Sequence, residues 1–224
     1  LLQNLTVNTA YSVYVKTDCG AELSESTSPK TIRTASCAAI ATIPWSDSFD
    51  SYGTGSTIFP TCWTNKSTST SYPYVSTTNN SAPGSMYFYA SSGYNLALTP
   101  SISSTIPVNT LRANFKLKMS SNSFKISVGV MSDPNDLNTF YEMANISTSS
   151  TVWNDYEVNF STYTGQGTYI AFKVTYTGTT QTIYMDDLVI SEVPTCAKPT
   201  QLAFSNLTTT SADISWLPGN LTDA

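Results

Sequence analysis

The carboxylate pair Asp186-Asp187 is the feature of this sequence that places the strongest chemical demand on its surroundings. The pair lies inside an apolar, strand-like run at 183–190. Successive side chains of an extended chain point to opposite faces, so one aspartate should project on the face of Ile183 and the other on the face of Leu188. At least one of the two carboxylates should therefore meet an apolar layer.

A carboxylate in an apolar layer is costly unless a cation, a cluster of hydrogen bonds or a metal ion compensates it. The chain offers only 10 Lys and Arg and no His. Calcium, a hard cation that takes oxygen ligands, is a natural partner for such a carboxylate. The alternative is a pair of aspartates at a strand end in a solvated loop, and the residues themselves leave both interpretations open.

The missing histidine restricts the catalytic chemistry that is open to this chain. It removes Ser-His-Asp and Cys-His nucleophile activation and the zinc sites that mix His with other ligands. The sequence also contains no phosphate-binding glycine-rich loop, Ser-Lys pairing or nucleophile elbow. A glycosidase would need two carboxylates across a cleft, but most of the 15 acidic residues lie in turns or at the proposed ion site. We therefore predict that the protein is not an enzyme.

The composition excludes two classes of partner. Charged residues make up 11% of the chain, against roughly 25% in ordinary soluble domains. With a net charge of −5 and a pI near 4.5, the protein has no electrostatic attraction for nucleic acid or for anionic membranes. No apolar run approaches the roughly 20 residues that cross a bilayer. We predict neither nucleic-acid binding nor membrane insertion.

Four cysteines, at positions 19, 37, 62 and 196, lie too far apart in sequence for a Cys-x-x-Cys metal site. Disulfides formed in an oxidising compartment fit better, and four cysteines allow three connectivities. We predict the pairs Cys19–Cys37 and Cys62–Cys196, with free buried thiols as the alternative. Such disulfides would place the protein in a secreted or cell-surface location.

Alternating apolar and polar residues predict strands through the centre of the chain. In 111–119 every odd position is apolar and every even position is polar, which is typical of a half-buried strand. The same period recurs in three later segments: 124–130, 156–160 and 170–174. Tyr87-Phe88-Tyr89 also indicates a strand, with one face in the core and one at the rim. The polar segment 120–123 predicts a hairpin link.

Several strands at this spacing, with almost no helical periodicity, predict an all-β fold in the form of a two-sheet antiparallel sandwich.

The two ends of the chain differ from this centre. The segment from Leu5 to Tyr11 follows a Leu-x-Pro-x-Thr-x-Tyr pattern with Val7 in place of proline, so residues 1–36 resemble the last strands of a fibronectin type III domain. Residues 196–224 resemble the first two strands of another such domain, with Trp216 as its core tryptophan. Two-strand pieces are marginal alone. We therefore expect an excerpt or processed piece of a longer protein, whose terminal strands pair with each other, in self-association or within a longer assembly.

An ordered set of motifs runs through the central residues 37–195. These motifs are Asp47-Ser48-Phe49-Asp50, Cys62-Trp63, Leu98-Thr99-Pro100, Val130-Met131-Ser132-Asp133-Pro134 and Tyr184-Met185-Asp186-Asp187-Leu188. In this order they resemble the MAM-like and cleaved-adhesin jelly-roll modules of secreted and surface proteins from Bacteroidetes-type bacteria. The chain departs from that pattern at Asp50, where Glu is common, and it lacks the full MAM cysteine set.

The resemblance implies that the first and last strands of the module lie together and that their carboxylates bind a structural calcium. Carried onto this sequence, the leading ligand candidates are Asp47, Asp50 and Asp187, and Asp186 is a secondary one. Such an ion would stabilise the module by joining its terminal strands.

Aromatic side chains are the candidates for ligand contact, since a flat ring suits the apolar side of a sugar. Tyr72 and Tyr74 lie in a polar loop, and Tyr94 follows a turn, so we predict these three as exposed platforms. The alternative is that they pack over a strand edge. Trp63 and Trp153 occupy core positions in the resemblance, and we predict that they are core residues.

These observations support three functions. We predict a non-catalytic adhesion or scaffold module of a long secreted or cell-surface multidomain protein, with other proteins or glycans at a cell surface as partners. The alternatives are a carbohydrate-binding module and an accessory segment of a secreted peptidase or glycosidase.

Overall fold

In the part of the chain that the computed structural model describes, the regular structure consists of fifteen β-strands and three single-turn 3-10 helices. The model describes residues 9–33, 37–69, 71–119, 124–148, 150–196 and 200–217. The strands are β1 (Ala10–Val13), β2 (Lys30–Arg33), β3 (Trp45–Asp47), β4 (Thr64–Asn65), β5 (Tyr74–Ser76), β6 (Ser85–Ala90), β7 (Tyr94–Leu98), β8 (Leu111–Met119), β9 (Phe124–Met131), β10 (Tyr141–Thr148), β11 (Asn154–Asn159), β12 (Tyr169–Thr175), β13 (Gln181–Glu192), β14 (Thr200–Ser205) and β15 (Asp213–Leu217). The 3-10 helices are Asp50–Tyr52, Val108–Thr110 and Leu137–Thr139. Within these described ranges, no helix has the length and apolar character needed to span a membrane.

Two sheets form the central body. One has the order β10-β9-β12-β7-β4, and the other has the order β11-β8-β13-β6-β5, with β3 also paired to β13. The strand pairs whose registers define these sheets are antiparallel. The predicted two-sheet antiparallel sandwich is therefore confirmed.

The core lies between the two sheets and follows the predicted alternation. In β8, all five odd-numbered residues from Leu111 to Met119 are buried and the four even-numbered residues are half-buried. Strands β9, β12 and β13 supply further buried aliphatic and aromatic side chains, with Phe172 fully buried among them. Period-two patterning is enough to create these strands because each has one face that must leave water.

The predicted hairpin at 120–123 is wrong. The link joins β8, in the sheet that contains β13, to β9, in the sheet that contains β12, so the chain crosses between sheets there. Residues 120–123 themselves lie outside the described residues. Alternation specifies which face of a strand is buried, but two strands that bury their faces in one core can lie in either sheet.

The chain divides into two compact units, Leu1–Ser191 and Glu192–Ala224. In the first unit, β1 pairs with β2 in a two-stranded antiparallel sheet. In the second, β14 pairs with β15, and apolar side chains of this pair are exposed, including Phe204 and Trp216. The assignment of these pieces to fibronectin type III domains stays a prediction, as do the domain limits, and Leu5 lies outside the described residues.

Candidate functional site

Strand β13 changes its neighbour at the aspartate pair. Its first half, up to Met185, pairs with β6, and its second half, from Leu188, pairs with Asp47 and the rest of β3. Strands β6 and β3 therefore lie end to end along one edge of β13. Asp186 and Asp187 fall at the point where the two neighbours meet. The first and last strands of the sandwich lie together, as the resemblance implies.

A β-bulge shapes this point. Asp187 has a left-handed φ of 51°, and the buried positions of β13 change from odd numbers, as at Ile183, to even numbers, as at Leu188. A bulge adds one residue to a strand and re-aims the side chains beside it. Strict alternation predicts the two aspartates on opposite faces, but here both side chains bond to the loop at 80–84.

Asp186 is fully buried and is compensated by hydrogen bonds. One carboxylate oxygen accepts from the backbone N–H groups of Asn80 (2.7 Å) and Ser81 (3.1 Å), and the other accepts from the N–H of Asp187 (2.8 Å). Asp186 takes part in neither of the salt bridges found among the described residues, which are Arg112–Glu157 and Lys116–Asp155. Burial raises the pKa of Asp186 to about 6, although the three backbone donors oppose that shift.

Asp187 and Asp50 hold the same loop from two sides. Asp187 accepts from the Asn80 side-chain amide (2.7 Å) and from the Ser81 hydroxyl (2.6 Å). Asp50 accepts from the Gly84 N–H (3.0 Å) and lies 3.5 Å from the same Ser81 hydroxyl. We call Asp50, Asp186 and Asp187, together with the loop 80–84, the aspartate junction.

Asp47 lies next to the aspartate junction but accepts hydrogen bonds from donors outside it. Its carboxylate accepts from the Phe49 N–H (2.9 Å), the Tyr52 hydroxyl (2.7 Å) and the Trp63 indole N–H (2.8 Å). Burial, together with the hydrogen bond to Asp47, raises the pKa of Tyr52. Trp63 is 7% exposed and packs on Phe49, so the prediction of a core residue is confirmed. Trp153 is half-buried, just before β11.

A depression of about 410 Å³ opens beside the junction, and its lining includes Asp47, Asp50 and Asp187. In the described part of the chain, no three His, Cys, Asp or Glu side chains are grouped so that they could hold a metal ion. The donors that converge are two carboxylates, Asp50 and Asp187, and the neutral oxygen of Ser81. An all-oxygen set of this kind suits a hard cation such as calcium rather than zinc.

The disulfide differs from both predicted pairings. Cys37 is bonded to Cys62, with 5.3 Å between their Cα atoms. The predicted pairs Cys19–Cys37 and Cys62–Cys196 are therefore wrong, and Cys19 and Cys196 are both exposed.

Strand pairing explains this connectivity. Ile40 bridges to residue 102 and Thr64 pairs with residue 98, so the chain that follows Cys37 and the chain that follows Cys62 both run beside 98–102. A disulfide needs Cα atoms within about 7 Å, and this shared neighbour brings the two cysteines into range.

Five tyrosines form a layer on the outer face of the sheet that contains β13. Strand register places Tyr74, Tyr87 and Tyr184 side by side across β5, β6 and β13. The ring centroids are 5.1 Å apart between Tyr74 and Tyr87, and 4.6 Å apart between Tyr87 and Tyr184. Tyr72 and Tyr89 complete the group, with 5.0 Å between their centroids. We call these five residues the tyrosine layer.

The layer is half-buried and uncharged. Inward-facing residues such as Phe88 and Ile183 separate its members along the strands, so the tyrosines face away from the core. Burial raises the pKa of Tyr74 and of Tyr87, and neighbouring tyrosines add to the shift. The phenols of Tyr74 and Tyr87 therefore stay protonated at neutral pH, where each can donate and accept a hydrogen bond.

Two of the three predicted aromatic platforms lie side by side in the structure. Tyr72 and Tyr74 belong to the tyrosine layer. Tyr94 lies in β7 of the other sheet, where it packs against a small apolar cluster and its backbone bonds to Thr68. Tyr87, Tyr89 and Tyr184 were not predicted as ligand contacts. The sequence feature that could have indicated them is the alternation of these tyrosines with apolar residues that are buried in the structure.

Comparison with known proteins gives similarity at the level of fold. No family model matches the chain, and no curated protein matches it in sequence. The K2 cleaved adhesin domain of Lys-gingipain aligns with a TM-score of 0.53 and 11% identity, over 66% of this chain and 98% of that domain. The K1 domain of Lys-gingipain from Porphyromonas gingivalis W83 aligns with a TM-score of 0.52 and 16% identity, over 68% of this chain and 100% of that domain.

A CBM22-1 xylan-binding domain of Xyn10C from Paenibacillus barcinonensis aligns with a TM-score of 0.49 and 17% identity, over 70% of this chain and 98% of that domain. The two adhesin alignments show that the central sandwich of this chain has the same fold as the cleaved adhesin domains.

Proposed function

We propose that this protein is a non-catalytic adhesion module of a secreted or cell-surface multidomain protein, and that the tyrosine layer is its contact surface. The observation behind this proposal is the set of five rings that strand register holds on one outer face. Tyrosine rings supply large contact area with few rotatable bonds, so little conformational entropy is lost when they bind. The fold shared with cleaved adhesin domains supports the same function.

The setting of this module is extracellular. The Cys37–Cys62 disulfide supports an oxidising compartment.

The partners are proteins or glycans at a cell surface. A carbohydrate-binding module is the second candidate function, which the uncharged and hydroxyl-rich layer favours. An accessory segment of a secreted peptidase or glycosidase would use the same surface.

Replacing Tyr87 with alanine is expected to weaken binding roughly ten-fold or more, because this ring contacts four other members of the layer and lies at its centre. Binding is measured on a panel of immobilised glycans and extracellular matrix proteins. Tyr141→Ala is the matched control, since Tyr141 is an exposed tyrosine of β10 in the other sheet. Equal binding by Tyr87→Ala and the wild type, with both folded, contradicts the proposed contact surface.

We also propose that Asp50 and Asp187, together with the Ser81 hydroxyl, hold a structural calcium ion at the aspartate junction. The support is their convergence on one hydroxyl and the lack of an ion pair to either carboxylate in the described residues. Asp47 and Asp186 were predicted as ligands too. Both are buried and each accepts three hydrogen bonds from protein donors, so we assign them the role of supporting the site. The ion would join β13, the loop 80–84 and the 3-10 helix that follows β3.

Removal of calcium is expected to lower the melting temperature by about 5–10 °C. A ligand present at about 100 times its dissociation constant stabilises the folded state by about 2.7 kcal/mol, and the loss of that free energy gives a shift of this size. The measurement compares thermal unfolding in about 1 mM calcium and in EDTA. Asp187→Asn should abolish the difference, and Asp155→Asn, which changes an exposed carboxylate of β11, should retain it. An unchanged melt in EDTA contradicts the calcium proposal.

A further inference from the structure

We propose that the tyrosine layer binds a neutral glycan chain that lies across β5, β6 and β13. This inference rests on the proposed function and adds the chemical class of the ligand.

The outward side chains of these strands match the chemistry of a sugar. In β5, in β6 and in the half of β13 that pairs with β6, the half-buried positions other than the tyrosines are Ser76 and Thr182, so every half-buried position there carries a hydroxyl group. A pyranose has an apolar C–H face and a rim of hydroxyls, and a tyrosine has an apolar ring and a polar tip. Contact between the two buries the apolar parts and leaves the hydroxyls able to bond to one another.

The size of the layer favours a glycan over a protein partner. A tyrosine contributes about 150–250 Å² when it is fully buried, so five half-buried rings present roughly 400–600 Å². A standard protein interface needs about 800 Å² from each partner. A few sugar units would cover the layer, whereas a protein would require further apolar surface around it.

The charges around the layer favour a neutral ligand. The neighbouring strand β8 presents Arg112 and Lys116, and both are paired with carboxylates of β11. Arg112 Nη1 lies 3.0 Å from Glu157 Oε2, and Lys116 Nζ lies 2.6 Å from Asp155 Oδ1. Lys118 is the charged residue of this row that has no ion pair among the described residues. One unpaired lysine gives little attraction for a polyanionic chain.

The rings are arranged in rows that run across the strands, so a bound glycan chain would also run across them. Tyr74, Tyr87 and Tyr184 form a row that crosses two strand spacings, or about 10 Å. A second row contains Tyr89 and its partner in β13, Thr182. The ring of Tyr184 is stacked on Tyr87 at one end of the first row, and no second described ring contact covers its other side. Tyr184 thus has fewer ring contacts than Tyr74 or Tyr87 among the described residues, and it is the ring to which we assign a stacked sugar unit.

Calorimetric titration of the folded chain tests this inference. The probes are neutral β-1,4-linked hexasaccharides of glucose, xylose and mannose, and, as charged probes, oligogalacturonate and a heparin oligosaccharide. We expect at least one neutral probe to bind, with affinity that changes less than about two-fold between about 50 and about 500 mM salt. Tyr184→Ala should weaken binding roughly ten-fold or more, Tyr184→Phe should retain most of it, and Tyr141→Ala should equal the wild type.

Three outcomes overturn the inference. Binding of charged probes alone, or of matrix proteins alone, contradicts a neutral glycan as ligand but leaves the tyrosine layer as the contact surface if Tyr87→Ala reduces that binding. Binding of a neutral probe that Tyr184→Ala and Tyr87→Ala leave unchanged places the glycan elsewhere. Failure to bind any glycan or protein contradicts both this inference and the proposed function.

Discussion

Replacing Asp47 with alanine is expected to destabilise the protein by about 3–5 kcal/mol. The carboxylate is 8% exposed and accepts from three donors, on Phe49, Tyr52 and Trp63. A buried donor that loses its partner costs about 1–3 kcal/mol, and two of these donors, the Phe49 N–H and the Trp63 indole N–H, are buried. Chemical denaturation of the folded variant measures the change in the free energy of unfolding.

Two comparisons separate this role from metal binding. Asp155→Ala removes a solvent-exposed ion pair and should cost less than about 1 kcal/mol. The effect of Asp47→Ala should persist in EDTA, because it arises from hydrogen bonds within the protein. A loss below about 1 kcal/mol, or one that disappears in EDTA, would show that the hydrogen bonds of Asp47 do not stabilise the fold.

Removal of the Cys37–Cys62 disulfide, with both cysteines changed to alanine, is expected to cost about 3 kcal/mol. The bond closes a segment of sequence separation 25, and the loss of unfolded-state entropy for a loop of this length is of that size. The melting temperature should fall by about 6–12 °C. Cys19→Ser changes an exposed cysteine outside this bond and should leave the melt unchanged.

A peptide map under non-reducing conditions tests the same bond directly. The expected map contains one cross-linked pair of peptides, with Cys37 and Cys62. A cross-link between Cys19 and Cys37, or between Cys62 and Cys196, would contradict the connectivity and the packing of residues 37–40 beside 98–102.

The strands of the sandwich could be predicted because each has one buried face. Residues 111–119 show this most clearly, since the alternation in sequence and the alternation in burial coincide at every position of β8. The contact of the first and last strands followed from the motif resemblance, and the pairing of Asp47 with Leu188 agrees with it. The hydrogen-bond cluster around Asp186 was one of the three kinds of compensation that its position required.

The remaining features depend on contacts between distant parts of the chain. The bulge at Asp187 breaks the two-residue period, so the sequence pattern alone could not show that both aspartates meet the loop 80–84. Tyr74 and Tyr184 are separated by more than a hundred residues, and only the register of β5, β6 and β13 unites them with Tyr87. Period-two alternation does not encode that register.

NMR of the chain with ring-labelled tyrosines, during titration with the ligand that binds tightest in the panel, tests whether the tyrosine layer is the binding surface. We expect the resonances of Tyr72, Tyr74, Tyr87, Tyr89 and Tyr184 to shift together, while those of Tyr94 and Tyr141, on the other sheet, do not move. Shifts at Tyr94 or Tyr141 with a silent tyrosine layer would contradict this expectation.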